Sequence, residues 1–106
     1  RVRIGISCTT VEQLTASLYG IPQGLQIVDI PADSALTGTA VQINDIITHV
    51  DGVKVNDLAE LYDQLDQHGV GDAVTLTLYR VGGEESEDES FQVEITLLAD
   101  FSGSQP

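Results

Sequence analysis

The segment Arg3-Ile4-Gly5-Ile6 carries the residues best suited to bind a ligand. A glycine stands between two branched aliphatic residues, and the absence of a side chain lets a ligand approach the backbone closely. Successive N–H groups at Ile4, Gly5 and Ile6 could form a small concavity that binds an anion such as a carboxylate. Arg1 and Arg3 could add positive charge beside it. The predicted chemistry is therefore recognition of an anionic group.

The sequence contains no arrangement of residues that predicts catalysis or a cofactor. Ser7 and Cys8 are nucleophilic types, but neither His49 nor His68 has a sequence context that links it to them. A single cysteine excludes an intramolecular disulfide and a zinc site with several thiolates. The acidic run at 84–89 lacks the alternating ligands and turn glycine of a calcium loop. We expect no catalytic residue, no metal and no cofactor, and interpret the run as a solvated connection.

Composition limits the class of protein. The chain has 106 residues, 42% of them hydrophobic but only 5% aromatic, so Val, Ile and Leu must build the core of one sheet-rich domain. Seventeen acidic against four basic residues give a net charge of −13. Nucleic acids and anionic membrane surfaces are bound through Lys and Arg, so neither is an expected partner. No apolar run reaches the roughly 18 residues that a membrane-spanning helix needs.

Hydrophobic periodicity predicts a mostly β, α+β domain. Period-2 alternation indicates strands, Asp51-Gly52 indicates a hairpin, and Thr10 and Asp57 are predicted to cap two helices. The expected fold is a partly open barrel of five to six strands capped by two helices. The predicted strands cover residues 3–8, 25–30, 46–50, 53–55, 74–79 and 91–97, and the predicted helices run from Thr10 to Gly20 and from Asp57 to His68.

The second predicted helix has an apolar face that could line a groove. A strand with a free edge beside such a face can accept an extended peptide as an added strand. Acidic residues at Asp57, Glu60, Asp63 and Asp66 would then favour basic ligands. The alternative is that the apolar residues only form the core, and the sequence leaves both interpretations open. The residues concerned are Ile4, Ile6, Leu58, Leu61, Tyr62 and Leu65.

Three segments, in this order, resemble the PDZ domain in the circularly permuted strand order of bacterial HtrA-type serine proteases. Arg3–Ile6 is similar to the family's carboxylate-binding loop, which reads aromatic, aliphatic, glycine, aliphatic. The second segment covers residues 34–47 and ends with Thr39–Ile47, which resembles Ala-Gly-Leu-x-x-Gly-Asp-x-Ile. The third begins with Val50–Val55, which resembles Val-Asn-Gly-x-x-Val, and continues through the groove helix to Gly71–Thr77, which is similar to Gly-Asp-x-Val-x-Leu-x-Val. The resemblance spans residues 3–79, nearly the whole predicted fold.

The chain departs from the family pattern at four places. Arg3 replaces the usual aromatic residue, so its side chain is free to reach toward a ligand. Ala40 and Asn44 stand where the family prefers glycine. Asparagine tolerates a positive φ, so we expect the turn at Asn44 to survive; nothing in the sequence explains Ala40. The acidic insert before Phe91 is not a family feature.

The resemblance implies a domain that captures the C-terminal peptides of unfolded or envelope proteins. It also implies a parent protein that is a trypsin-like endopeptidase, homo-oligomeric (trimeric) and located in the bacterial envelope, periplasmic or membrane-anchored. The parent's own protease domain would be a partner, in protein quality control. The implied carboxylate-binding residues are Arg3, Ile4, Gly5 and Ile6, and the implied groove residues are Ser7, Cys8, Leu58, Leu61, Tyr62 and Leu65.

Two other functions remain open at this point. A PDZ-like module could serve as a scaffold in an assembly without a protease, or it could belong to an intramembrane or processing protease. Residues 1–100 are expected to form the domain, and 101–106, which are polar with Gly and Pro, a flexible tail.

Overall fold

The computed structural model describes residues 2–99, so Arg1, Asp100 and the predicted tail at 101–106 lie outside the described residues. Six strands form one antiparallel sheet in the order β2-β3-β4-β6-β7, with β5 paired to β4, and β1 and β8 form a separate two-stranded sheet. The predicted α+β class, with an open sheet and two helices, is confirmed. The elements are β1 Val2–Arg3, β2 Ser7–Val11, α1 Gln13–Tyr19, β3 Gly24–Asp29, β4 Ile46–Val50, β5 Val53–Lys54, α2 Leu58–Leu65, β6 Ala73–Arg80, β7 Glu89–Thr96 and β8 Leu98–Ala99.

The two hairpins follow the sequence signals closely. Asp51 and Gly52 have φ values of 50° and 81°, the left-handed pair that a tight two-residue turn between β4 and β5 requires. Strands β6 and β7 pair antiparallel over their full length, with Val74 opposite Ile95. The acidic run is exposed and lies in their connection up to Asp88, while Glu89 begins β7. Asp88 accepts hydrogen bonds from the Tyr79 hydroxyl and from the Gly82 N–H.

Helix α1 begins later than predicted. Thr10 pairs with Leu25 as part of β2, so the N-cap predicted at Thr10 is wrong; Glu12 takes that position without a side-chain hydrogen bond. The predicted left-handed stop at Gly20 is confirmed by its φ of 66°. Strand pairing with β3 has overridden the local capping signal, because it satisfies several backbone groups where a cap satisfies one.

Helix α2 begins as predicted and ends earlier. The Asp57 carboxylate accepts from the Glu60 N–H at 2.9 Å, so this cap is confirmed. The helix was predicted to run to His68 and stop at Gly69, but its last residue is Leu65. Gly69 does not have the left-handed conformation that would end a helix. Its N–H donates to the Asp72 carboxylate at 2.7 Å, within the turn that leads to β6.

The predicted strand at residues 3–8 is interrupted. Arg3 pairs with Leu98 in the small sheet, Ser7 pairs with Asp29 in the large one, and residues 4–6 form a loop between them. Gly5 has a φ of 85°, which a strand cannot accommodate. The alternation in the sequence was therefore misleading. Ile4 and Ile6 are both buried, but they belong to a loop and not to a strand.

The large sheet has a main core on one face and a smaller cluster on the other, formed by Val11, Ala16 and Ile46.

Asn44 has the expected positive φ, 79°, and leads into Asp45, whose side chain is only 2% exposed. Arg80 donates to both Asp45 carboxylate oxygens, at 2.9 and 2.7 Å. Across residues 2–99, neither helix has the length and apolar character needed to cross a membrane.

Candidate functional site

The loop at residues 4–6 is anchored by the turn that follows β3. The Ile4 carbonyl accepts from the Ala35 N–H at 2.9 Å and from the Ser34 hydroxyl at 3.3 Å. The same hydroxyl oxygen accepts from the Leu36 N–H at 3.0 Å. Ser34 is itself buried, so the loop rests on a fixed polar support and not on a mobile surface turn.

The amides of this loop are the notable polar groups of the site. No acceptor within residues 2–99 takes a hydrogen bond from the Gly5 or Ile6 N–H, although both residues are buried. Buried backbone N–H groups in folded proteins almost always have a partner. Two successive donors of this kind, around a glycine of positive φ, have the character of an anion-binding nest.

Arg3 lies against the loop but is held by its own chain. Its Nε donates to the Ala99 carbonyl at 3.1 Å, and Nη2 lies 3.7 Å from the Asp33 carboxylate. A Cβ added to Gly5 would lie 3.0 Å from Arg3 Nη1 and 3.3 Å from the Ser34 Cα. The positive φ thus favours glycine at this position, and its close neighbours leave little room for a Cβ.

The strand that continues from the loop, β2, lies at one end of the strand order of the large sheet. Within the described part of the chain, β2 pairs with β3 alone. Ser7 and Cys8, at its start, are both half-buried. Cys8 and Leu58 of α2 pack against the same core cluster, which joins the beginning of β2 to the beginning of α2.

Four of the predicted binding residues are core residues in this structure. Ile4, Ile6, Leu61 and Leu65 are all 0% exposed and share one cluster. The remaining groove candidates, Ser7, Cys8, Leu58 and Tyr62, are half-buried and can be touched from outside. The side chains of these four residues are therefore closed to a ligand in this structure.

The environment of Cys8 sets its reactivity. Burial raises the pKa of its thiol to about 11, so the reactive thiolate is scarce near neutral pH. We expect alkylation by iodoacetamide to accelerate about tenfold for each pH unit between about pH 7 and 9.5. The rate should be followed by mass spectrometry. In urea the alkylation rate should stop rising near pH 9.0, the ordinary pKa of the thiol. A plateau of the rate at that pH in the folded protein would contradict the prediction.

Sequence reasoning missed two residues that shape this region. Ser34 supports the Ile4 carbonyl, and this hydrogen bond links positions thirty residues apart. Asp45 organises the turn before β4 by accepting from the Gln42 N–H at 2.8 Å and from Arg80. For Asp45 the signal was its place in the motif at residues 39–47, directly after Asn44, the residue expected to have a positive φ.

The architecture and the glycine loop at a free sheet edge define a class of domain. A match to the PDZ domain family covers residues 2–95, so the chain belongs to that family. The match spans the segments on which the resemblance was based, from residues 3–6 to residues 71–77.

Two relatives give the context of the family. The chain is 36% identical over 62 residues, 58% of its length, to the serine protease Do-like HtrA of Lactobacillus helveticus, and this match spans 15% of that protein. Its fold is similar to that of a solved structure of the HtrA-type protease AlgW with a decapeptide. That likeness has a TM-score of 0.72 and 14% identity and covers 92% of this chain and 29% of the other. The chain therefore corresponds to a minor part of either protein.

Proposed function

We propose that this chain is the peptide-reading PDZ domain of an HtrA-like serine protease and that it captures C-terminal peptides by β-strand addition. The observation that carries the proposal is that the Gly5 and Ile6 N–H groups lack an acceptor within residues 2–99 and lie just before β2, which pairs with β3 alone among the described strands. A terminal carboxylate is an anion of the right size for such a nest.

The peptide adds alongside β2 on the side away from β3, where the backbone groups of residues 8–11 provide a ladder of hydrogen bonds. Its last side chain lies between the start of β2 and α2, against Cys8, Leu58 and Tyr62. Opening of α2 would extend this contact to Ile6, Leu61 and the deeper core residues. Arg3, beside Gly5, adds positive potential without a direct contact being required, because its guanidinium already has partners.

The negative charge of the domain favours basic residues upstream of the peptide's C-terminus. The basic side chains within residues 2–99 each have a protein partner, since Arg3 and Arg80 pair with acids and Lys54 donates to the Gln23 carbonyl. Helix α2 carries Glu60 and Asp63 and is flanked by Asp57 and Asp66. With a net charge of −13, the surface favours peptides that are basic upstream of an apolar C-terminus.

The parent protein is a bacterial trypsin-like serine endopeptidase in this proposal, and the domain described here hydrolyses nothing. Peptide capture recruits substrates or regulates the protease in protein quality control. The parent is a homo-oligomer, a trimer, in the cell envelope, either periplasmic or membrane-anchored outside the cytoplasm. The support for this context is that both relatives reported above are HtrA-type proteases.

Removal of the peptide's terminal charge is the direct test. A fluorescein-labelled decapeptide with upstream lysines and a C-terminal valine should bind more than about tenfold more tightly as a free acid than as an amide, a difference of about 1.4 kcal/mol or more. Fluorescence polarisation measures both dissociation constants. The comparison is conservative, because amidation removes a negative charge and would by itself strengthen binding to an acidic domain.

Equal affinity for acid and amide would contradict carboxylate capture and point to recognition of internal segments. A scrambled decapeptide of the same charge, with glutamine at its C-terminus, is the control for non-specific attraction. Its binding should be weak and should fall steeply with added salt, as expected for interactions between exposed charges.

A further inference from the structure

The loop that presents the Gly5 amide is held by a side chain outside the groove. The Ile4 carbonyl accepts two hydrogen bonds, from the Ala35 N–H at 2.9 Å and from the Ser34 hydroxyl at 3.3 Å. This carbonyl belongs to the peptide unit whose N–H is that of Gly5. The unit is trans, because residues 2–99 contain no cis peptide bond, so its C=O and N–H point in opposite directions.

The direction of that N–H follows from the position of the anchor. Ser34 and Ala35 belong to the segment that continues from β3, and β3 pairs with β2 along one edge, with Ser7 opposite Asp29. Because the Ile4 carbonyl points toward Ser34 and Ala35, the Gly5 N–H points away from that segment.

We propose that Ser34 is a positioning residue that fixes the orientation of the carboxylate-binding amides. Its buried hydroxyl donates to Ile4 and accepts from the Leu36 N–H, so it ties the loop to the turn at residues 34–36 through one atom. Without it, only the Ala35 N–H holds the Ile4 carbonyl, and the peptide unit can rotate away from the orientation that a carboxylate needs. This inference rests on the proposed function. In it, Ser34 orients the amides that bind the ligand's carboxylate and does not touch the ligand itself.

The test compares the acid and amide forms of the lysine-rich, valine-ending decapeptide on Ser34→Ala. We expect affinity for the acid to fall about threefold to tenfold, the range of one hydrogen bond, and affinity for the amide to change less than about twofold. The ratio of the two dissociation constants therefore decreases. Thr37→Ala is the matched control, because its hydroxyl donates to the Pro31 carbonyl in the neighbouring turn and not to Ile4; its ratio should equal that of the unsubstituted protein.

The ratio separates a positioning role from a structural one. An unchanged ratio, whether both affinities fall equally or neither falls, would overturn the role of Ser34 while leaving carboxylate capture intact. No acid preference in the unsubstituted protein would overturn the proposed function and this inference with it. Where Ser34→Ala does not fold, Ser34→Cys carries the same test, because its thiol has a similar shape and is only a weak donor.

Discussion

Arg80→Ala is expected to reduce the free energy of unfolding by about 2–4 kcal/mol, less than the full effect of breaking a wholly buried ion pair because the Arg80 side chain is 27% exposed. The Asp45 side chain is 2% exposed and receives two hydrogen bonds from the guanidinium. Removal of that group leaves a buried carboxylate with the Gln42 N–H as its remaining donor among those described. The guanidinium also donates to the Ala40 carbonyl and lies 4.7 Å from the centre of the Phe91 ring. Urea unfolding followed by circular dichroism measures the change.

Two further variants show whether the buried charge is the cause. Glu89 lies 3.4 Å from the same guanidinium but its side chain is 60% exposed, so Glu89→Gln should cost no more than about 1 kcal/mol. Adding Asp45→Asn to Arg80→Ala should recover about 1 kcal/mol or more, because a buried amide costs less than a buried charge. A loss below about 1 kcal/mol for Arg80→Ala alone would mean that the pair contributes little to stability.

Local patterns predicted the part of the fold in which neighbouring residues decide the structure. The Asp51-Gly52 turn needs left-handed residues, and the alternation in β6 needs only one buried face, with Val74, Leu76 and Leu78 inside. Both requirements can be read within a few residues of sequence. The cap at Asp57 is confirmed for the same reason, since its carboxylate reaches a backbone N–H only three positions away.

Long-range pairing explains what the sequence did not predict. The alternation from Ile4 to Cys8 is compatible with a strand, and only the different partners of Arg3 and Ser7, in two separate sheets, turn its middle into a loop. The support from Ser34 is likewise invisible in sequence. The apolar face of α2 shows that Leu61 and Leu65 point inward, but whether a face is core or groove depends on what lies opposite it.

The burial of Leu61 leads to the second large prediction. Leu61→Glu should lower the free energy of unfolding by at least about 4 kcal/mol, because it replaces a wholly buried leucine with a carboxylate in an apolar cluster. A small domain has only about 5–15 kcal/mol in total, so the variant should be largely unfolded by mild urea. Circular dichroism and urea titration measure this. A loss of peptide binding in this variant would therefore report unfolding and give no information on the groove.

Leu14→Glu is the matched control, because it makes the same substitution near the start of the other helix, where the side chain is 72% exposed. Its effect on stability should stay within about 0.5 kcal/mol. If Leu61→Glu were as stable as Leu14→Glu, helix α2 would not be packed against the core in solution, and Leu61 would be accessible to a peptide between α2 and β2. The same measurement thus determines whether the deeper apolar residues are a permanent part of the core or the floor of an open groove.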